Sequence, residues 1–247
     1  KVWTCNNMRL EEDSLCSKCG SRRPVFRRRY SGEQLCKICF IESIERRVKR
    51  TIAKYNMFNH DDTIGVALSG GKDSVVLLQI LNKIERRFPT SKLVALTIDE
   101  GIKGYRREAI EISREYCEKM GIDQTVSSFK EMYGYDLDEV VEAARGKMRL
   151  SPCAFCGMLR RRALNILARQ RGVNKLATAH NLDDESQTIL LNIMHGDIER
   201  LMRTKPKLDG IHPKFVQRVK PLCDIPEREI ALYAYLTGIR FQEAVCP

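Results

Sequence analysis

Ser69-Gly70-Gly71-Lys72-Asp73-Ser74 is the segment best suited to do chemistry. It follows an apolar run (Ile64, Val66, Ala67, Leu68) and precedes a helical one (Val75, Val76, Leu77, Leu78, Ile80, Leu81). Two glycines allow a sharp backbone turn, and the N–H groups at a helix start then face an anion. The spacing is not that of a Walker A loop, because no G-x-x-x-x-G-K-[ST] occurs in the chain. The plainer alternative is a strand–turn–helix without a ligand. Strand, turn and helix in this order favour a phosphate-binding turn.

The second chemical signal is thiol. The chain has 10 cysteines, and paired spacings without a secretory leader point to metal rather than to a disulfide framework. Cys16-x-x-Cys19 and Cys36-x-x-Cys39 each place two thiolates on one knuckle, and two knuckles complete a tetrahedral zinc site. So short a segment cannot bury a core, and the ion would supply much of its folding free energy. Cys5 has no partner at ligand spacing and reads as part of a mobile leader. A third pair, Cys153-x-x-Cys156, opens a basic helix, with Cys223 and Cys246 as candidates to join it; Cys117 reads as packing. Spacing leaves this set open among a zinc knuckle, a redox dithiol and an iron–sulfur cluster. Three thiolates would leave a metal with an open position, which chemistry needs and a structural site lacks.

These residues need a frame. Residues 1–40 read as a zinc ribbon, and Ile41, Ile44, Val48, Ile52 and Tyr55 mark an amphipathic helix within a 41–60 linker. Over 61–247, strands at 64–68, 93–98, 125–129, 175–178 and 217–219 alternate with helices at 72–87, 106–120, 154–171, 184–194 and 227–237. That order predicts an α/β domain, a parallel sheet with helices on both faces. Ligands in such sheets bind beyond the carboxyl ends of the strands, where Ser69–Ser74 and Ala179–Asp184 fall. The stretch 202–215 reads as a loop, and no repeat or low-complexity tract stands out.

With 43 Lys plus Arg against 32 Asp plus Glu, the chain carries a formal net charge of +11. The charge is clustered at Arg27–Arg29, Arg46-Arg47, Lys49-Arg50, Arg106-Arg107 and Arg160–Arg162, which favours a nucleic-acid partner over a merely solvated surface. No apolar stretch approaches a membrane span, so a cytoplasmic protein without a membrane partner is expected.

Several motifs together resemble the tRNA 2-thiolation family of archaeal and eukaryotic cytosolic thiouridylases, within the PP-loop (adenine nucleotide alpha hydrolase-like) ATP pyrophosphatase superfamily. They are Ser69–Ser74, Asp99-Glu100-Gly101-Ile102 with Tyr105, Pro152–Gly157, Leu159–Arg162, and His180 through Glu185. The likeness covers essentially the whole chain. It implies a tRNA 2-thiouridine synthetase that adenylates the uridine C2 oxygen with ATP, then replaces it with sulfur. A 4Fe-4S cluster held by Cys153, Cys156 and Cys246 is implied, its fourth iron free to carry a hydrosulfide, with Cys223 left to packing. The implied nucleotide site comprises Ala67, Ser69, Gly70, Gly71, Lys72, Asp73, Ser74, Ile98, Arg160 and Ala179, with Mg2+ alongside. Asp73 is expected to orient the loop or the magnesium ion. Asp184 is the implied catalytic acid, holding magnesium or taking a proton, with Arg160, Cys153 and Cys156 as further catalytic residues. Asp183 reads equally as a first-turn acid and His180 as a turn residue. Relatives usually carry a second zinc ribbon after this point, and its RNA contacts are not carried over.

The resemblance favours the wobble uridine, position 34, over uridine 54, and implies a homodimer. Sulfur is expected from free sulfide or from a ubiquitin-like thiocarboxylate carrier. A lysidine synthetase-like enzyme shares the turn and the tRNA but needs no cysteine triad. A cluster-free route, in which Cys153 and Cys156 cycle through persulfide and disulfide, gives the same product. A non-enzymatic zinc-ribbon tRNA-binding module with a regulatory nucleotide pocket is the alternative of another class.

Overall fold

The computed structural model describes residues 14–144, 151–202, 204–208, 214–244 and 246. Cys5 and part of the 202–215 segment lie outside them. A short antiparallel hairpin of β1 (Phe26–Arg27) and β2 (Gln34–Leu35) leads into helix α1 (Lys37–Lys54). Then follow β3 (Thr63–Ala67), α2 (Lys72–Glu85), β4 (Lys92–Asp99), α3 (Arg106–Met120) and β5 (Asp123–Ser128). The short α4 (Phe129–Tyr133) and α5 (Leu137–Ala143) come next, before the long α6 (Pro152–Gln170) and β6 (Lys175–Ala177). The described chain closes with α7 (Leu182–Met194), α8 (Ile198–Met202), β7 (Gln217–Val219) and α9 (Glu227–Thr237).

Five strands form one parallel sheet in the order β5-β4-β3-β6-β7. Alternating side chains on the strands feed two apolar clusters. Ile64, Val66, Ala95 and Ala177 face α1, α2, α3 and α9, where Ile44, Val75, Leu78, Ile112 and Tyr233 meet them. Val94, Leu96, Ile98 and Leu176 face the opposite way, toward Phe129, Leu137, Leu159, Ala163 and Leu167. The near-continuous apolar strands thus reflect a sheet covered on both faces. Successive strands run from β3 outward through β4 to β5, then resume on the other side of β3 with β6. The switch point lies between β3 and β6, where an open α/β sheet offers its crevice. The Ser69–Ser74 turn follows β3, and the Thr178–Asn181 turn follows β6.

Two expectations need correction. Helix α1 starts at Lys37 and stops at Lys54, because Asn56 takes a left-handed φ of 45°. The strand expected at 125–129 ends at Ser128, and α4 and α5 follow it, each opened by a capping box (Ser128 with Glu131, Asp136 with Glu139).

The ribbon shares the main core. Phe26 packs edge-to-face on Phe40 with ring centroids 5.0 Å apart, and both join the α1–α2–α9 cluster. Beside them Glu229 of α9, wholly buried, binds Arg28 (Nη2 to Oε2, 3.1 Å), Arg47 (Nη1 to Oε2, 2.7 Å) and the Tyr30 hydroxyl (2.9 Å). Ribbon, linker helix and α9 meet at one carboxylate.

Candidate active site

The turn after β3 is shaped by close backbone approach. Gly70 has φ 84°, and a Cβ there would lie 2.4 Å from the Ala109 carbonyl oxygen on α3. The Ser74 hydroxyl donates to the Gly71 carbonyl at 2.8 Å and accepts from the Ser69 N–H at 3.2 Å, with Ser69 Oγ 3.1 Å away. Gly71 caps α2 in an extended conformation, so the N-terminal amides of α2 point out of the turn. Lys72 is paired with Asp73 (3.0 Å) and Glu227 (2.9 Å). Burial pushes the Asp73 carboxyl up and Lys72 draws it back, while Glu227 and Asp184 repel its charge. Gly70→Ala meets both an unfavourable φ and a backbone clash. It is expected to weaken nucleotide binding on the order of tenfold or more, as isothermal titration with ATP would measure.

The turn after β6 is held by Asn181. Its Oδ1 accepts from Asp183 N (2.9 Å) and Asp184 N (3.0 Å), and Asp184 Oδ2 accepts from Asn181 N (2.9 Å). Asp184 is thus the N3 member of a capping box as well as an acid at the crevice. Asp183 accepts from Glu227 N at 2.6 Å, and His180 Nδ1 lies 2.9 Å from Thr178 Oγ1. Ala67 ends β3, Ile98 is buried in β4, and Ala179 is half-buried beside the turn.

A cavity of about 160 Å³ opens beside the first turn. Ser69 and Gly71 line it from the turn, Glu100, Tyr105 and Arg106 from the β4–α3 connection, Cys156 and Arg160 from α6, and Gln242 and Cys246 from the C-terminal segment. Gln242 fixes that segment: its N–H donates to the Gly70 carbonyl at 3.1 Å and its side chain donates to the Tyr105 carbonyl. Cys246 is thereby carried to the phosphate turn from the far end of the described chain. Cys153 lies one turn before Cys156 on α6, exposed. Burial pushes the Cys156 thiol up, as do the charges of Glu100, Cys246 and Cys153, against Arg160. Cys246 is raised by burial, then by Cys153 and Glu100. Cys153 and Cys156 share one turn of α6, and Cys156 and Cys246 line one cavity. Cys223, by contrast, is buried in the core, where burial pushes its thiol up to about 12.

The remaining thiol set is Cys16, Cys19, Cys36 and Cys39, whose sulfurs all lie within 4.8 Å of one another. Hydrogen bonds from Ser21 lower Cys19 to about 5, whereas burial pushes Cys39 up to about 12. Four thiolates so close repel, and a tetrahedral cation resolves that repulsion. Among the described residues this is the set gathered for a single ion. Cys153, Cys156 and Cys246 are not so tightly drawn together.

Residues 41–245 match the PP-loop domain family, and residues 15–41 match the family described as 2-thiouridine synthetase TtuA, N-terminal LIM domain. The chain belongs to the PP-loop family, among the tRNA 2-thiolation proteins. It is 40% identical over 240 residues to a "Probable sulfurtransferase" of Methanocaldococcus jannaschii, covering 96% of this chain and 69% of that protein. It is 40% identical over 244 residues to the tRNA 2-thiolation protein NcsA of Haloferax volcanii, covering 94% of this chain and 75% of the relative. Among solved structures it is similar to the U34-tRNA thiolase NcsA from Methanococcus maripaludis with its [4Fe-4S] cluster. That likeness has a TM-score of 0.83 and 37% identity, over 94% of this chain and 74% of the other.

In this PP-loop protein not every basic run is a surface. Arg106 is buried and donates to the Ser69 and Ile98 carbonyls, and Arg28 is buried on Glu229, so two of the expected nucleic-acid-facing arginines are internal. Arg27, Arg29 and Arg160–Arg162 are exposed. Glu100 and Gln242 line the cavity although the sequence assigns them no role, and Arg106, expected at a nucleic-acid surface, lines it too. Their signals were the Asp99-Glu100-Gly101 turn, in which Gly101 N–H donates to Asp99 Oδ1 at 2.9 Å, and the Cys246 motif they flank. No helix among the described residues is long and apolar enough to cross a membrane.

Proposed function

We propose that this chain is an ATP-dependent tRNA 2-thiouridine synthetase acting on the wobble uridine. One observation carries the reading: a single cavity is lined both by the phosphate turn and by Cys156 and Cys246. Exchange of a pyrimidine C2 oxygen for sulfur needs that oxygen made into a leaving group, and adenylation does so. Amides of residues 70–74 receive the β- and γ-phosphates, with Lys72 and Arg160 adding positive charge. Ala67, Ile98 and Ala179 flank the nucleotide at the strand ends. Asp73 and Asp184, close enough to repel, supply oxygens for Mg2+, which would also relieve that repulsion. Adenylation then joins the uridine O2 to the α-phosphorus of ATP as pyrophosphate leaves. Cys153, Cys156 and Cys246 would hold a 4Fe-4S cluster, whose chemistry would be to supply the sulfur that replaces the adenylated oxygen. Arg160, one helical turn beyond Cys156, stands between the two chemistries.

The ribbon supports an RNA substrate, because residues 14–40 hold seven lysines and arginines against one glutamate. A homodimer is supported by the apolar face of α7 and α8. There Leu190, Leu191, Ile193, Met194, Ile198 and Met202 are exposed without a charged residue from 186 to 194. The test is anaerobic incubation of the protein with tRNA, ATP and either sulfide or a thiocarboxylate carrier. AMP and 2-thiouridine are expected in equal amounts, mapped to position 34 by mass spectrometry. Tight tRNA binding with no tRNA-dependent AMP would instead leave a binding module.

A further inference from the structure

Arg160 lines the cavity and meets Glu100 there. Its Nη1 lies 3.5 Å from Glu100 Oε1, and its side chain is 50% exposed. The other guanidinium on this carboxylate is fixed. Arg106 Nε is 2.6 Å from Glu100 Oε2, while its Nη1 and Nη2 donate to the Ser69 carbonyl (3.0 Å) and the Ile98 carbonyl (2.6 Å). Glu100 and Arg106 side chains are only 4% and 6% exposed. Nε and Oε2 lie at ion-pair distance but are misaligned for a hydrogen bond, each buried without another hydrogen-bonding partner. Arg106 thus balances the carboxylate at Oε2, and the other oxygen, Oε1, is the one that faces Arg160 at 3.5 Å.

We propose that Glu100 is a positioning residue that holds Arg160 beside the phosphate turn and releases it to the phosphates of an entering nucleotide. The inference rests on the proposed contact of Arg160 with those phosphates. A guanidinium prefers the bidentate geometry of a phosphate to one long contact with a carboxylate. As pyrophosphate or AMP departs, Glu100 recaptures the guanidinium and so favours product release. The carboxylate also lines the same cavity, where its charge opposes bound phosphate directly. Phosphate affinity is thereby held below what the turn and Arg160 would give together.

A merely architectural Glu100 makes the opposite prediction. If it only anchored Arg106, and through it the Ser69 carbonyl, removing its charge would loosen the turn and weaken phosphate binding. Glu100→Gln separates the two roles, since it keeps the volume and an acceptor oxygen for Arg106 while deleting the charge. Titration of the anaerobic full chain with inorganic pyrophosphate and with Mg-ATP is the test. Glu100→Gln is expected to tighten pyrophosphate binding on the order of tenfold, the scale of removing one partly screened charge. In an Arg160→Ala background the same change should give a much smaller gain. Unchanged or weaker binding in Glu100→Gln overturns the proposal, and so does an equal gain in both backgrounds. Arg160→Ala with full pyrophosphate affinity would instead strike the phosphate role of Arg160, a separate result.

Discussion

Alanine at Cys156 or Cys246 is expected to abolish 2-thiouridine formation, a loss on the order of 10³-fold or more, the scale of removing a group that acts as part of one catalytic unit. Both thiols line the cavity shared with the phosphate turn, and Cys153 stands one helical turn from Cys156. On the proposed assignment a set of three tolerates no loss, because two thiolates would not retain the cluster. Iron content after anaerobic preparation should fall together with thiolation in Cys153→Ala, Cys156→Ala and Cys246→Ala. ATP binding should persist, since the turn is built by Ser69, Ser74 and the approach of α3. Cys223→Ala is the control. It removes one sulfur from a packed core site and costs about 1 kcal/mol of stability, with iron and activity retained. Full iron in Cys246→Ala would refute the ligand assignment.

Much of this geometry was legible in the sequence, for identifiable reasons. The parallel sheet shows as short apolar runs separated by helix-length amphipathic segments, and both ligand-facing turns fall at strand ends. Both N-terminal knuckles are local, four residues each, so spacing alone reveals them. What stayed hidden is long-range. Arg28 and Glu229 are 201 residues apart, and nothing about an Arg-Arg-Arg run tells which member is turned inward. Arg106 reads as one half of a basic pair, yet it is the buried brace of the phosphate turn, since its partners are carbonyls that sequence does not display. Glu100 stood in a recognised motif without a role because its two arginines reach it from α3 and α6. The bond from Gln242 to Gly70 that delivers Cys246 is between backbone atoms and leaves no compositional trace.

Glu229→Ala should destabilise the protein by about 3–5 kcal/mol, the range for removing one partner of a buried charge network. The carboxylate has no solvent exposure, and its two oxygens serve Arg28, Arg47 and Tyr30. Without it, Arg28 keeps Glu33, the Ser43 hydroxyl and the Tyr30 ring, and Arg47 keeps the Tyr30 hydroxyl and the Asp224 carbonyl; two guanidinium charges then share a nearly dry seam. Urea unfolding should show a lower midpoint. The loss is directional, because it falls on the joint between ribbon, α1 and α9 and not on the sheet. Chelating a metal held by the four ribbon cysteines would loosen that same joint through Cys36 and Cys39, which begin α1. The two perturbations should therefore be less than additive, chelator costing Glu229→Ala less stability than it costs the parent protein. Strict additivity would mean that the metal knuckles and the Glu229 network stabilise independent parts. An unchanged urea midpoint in Glu229→Ala would show that the network contributes nothing to holding the ribbon on α9.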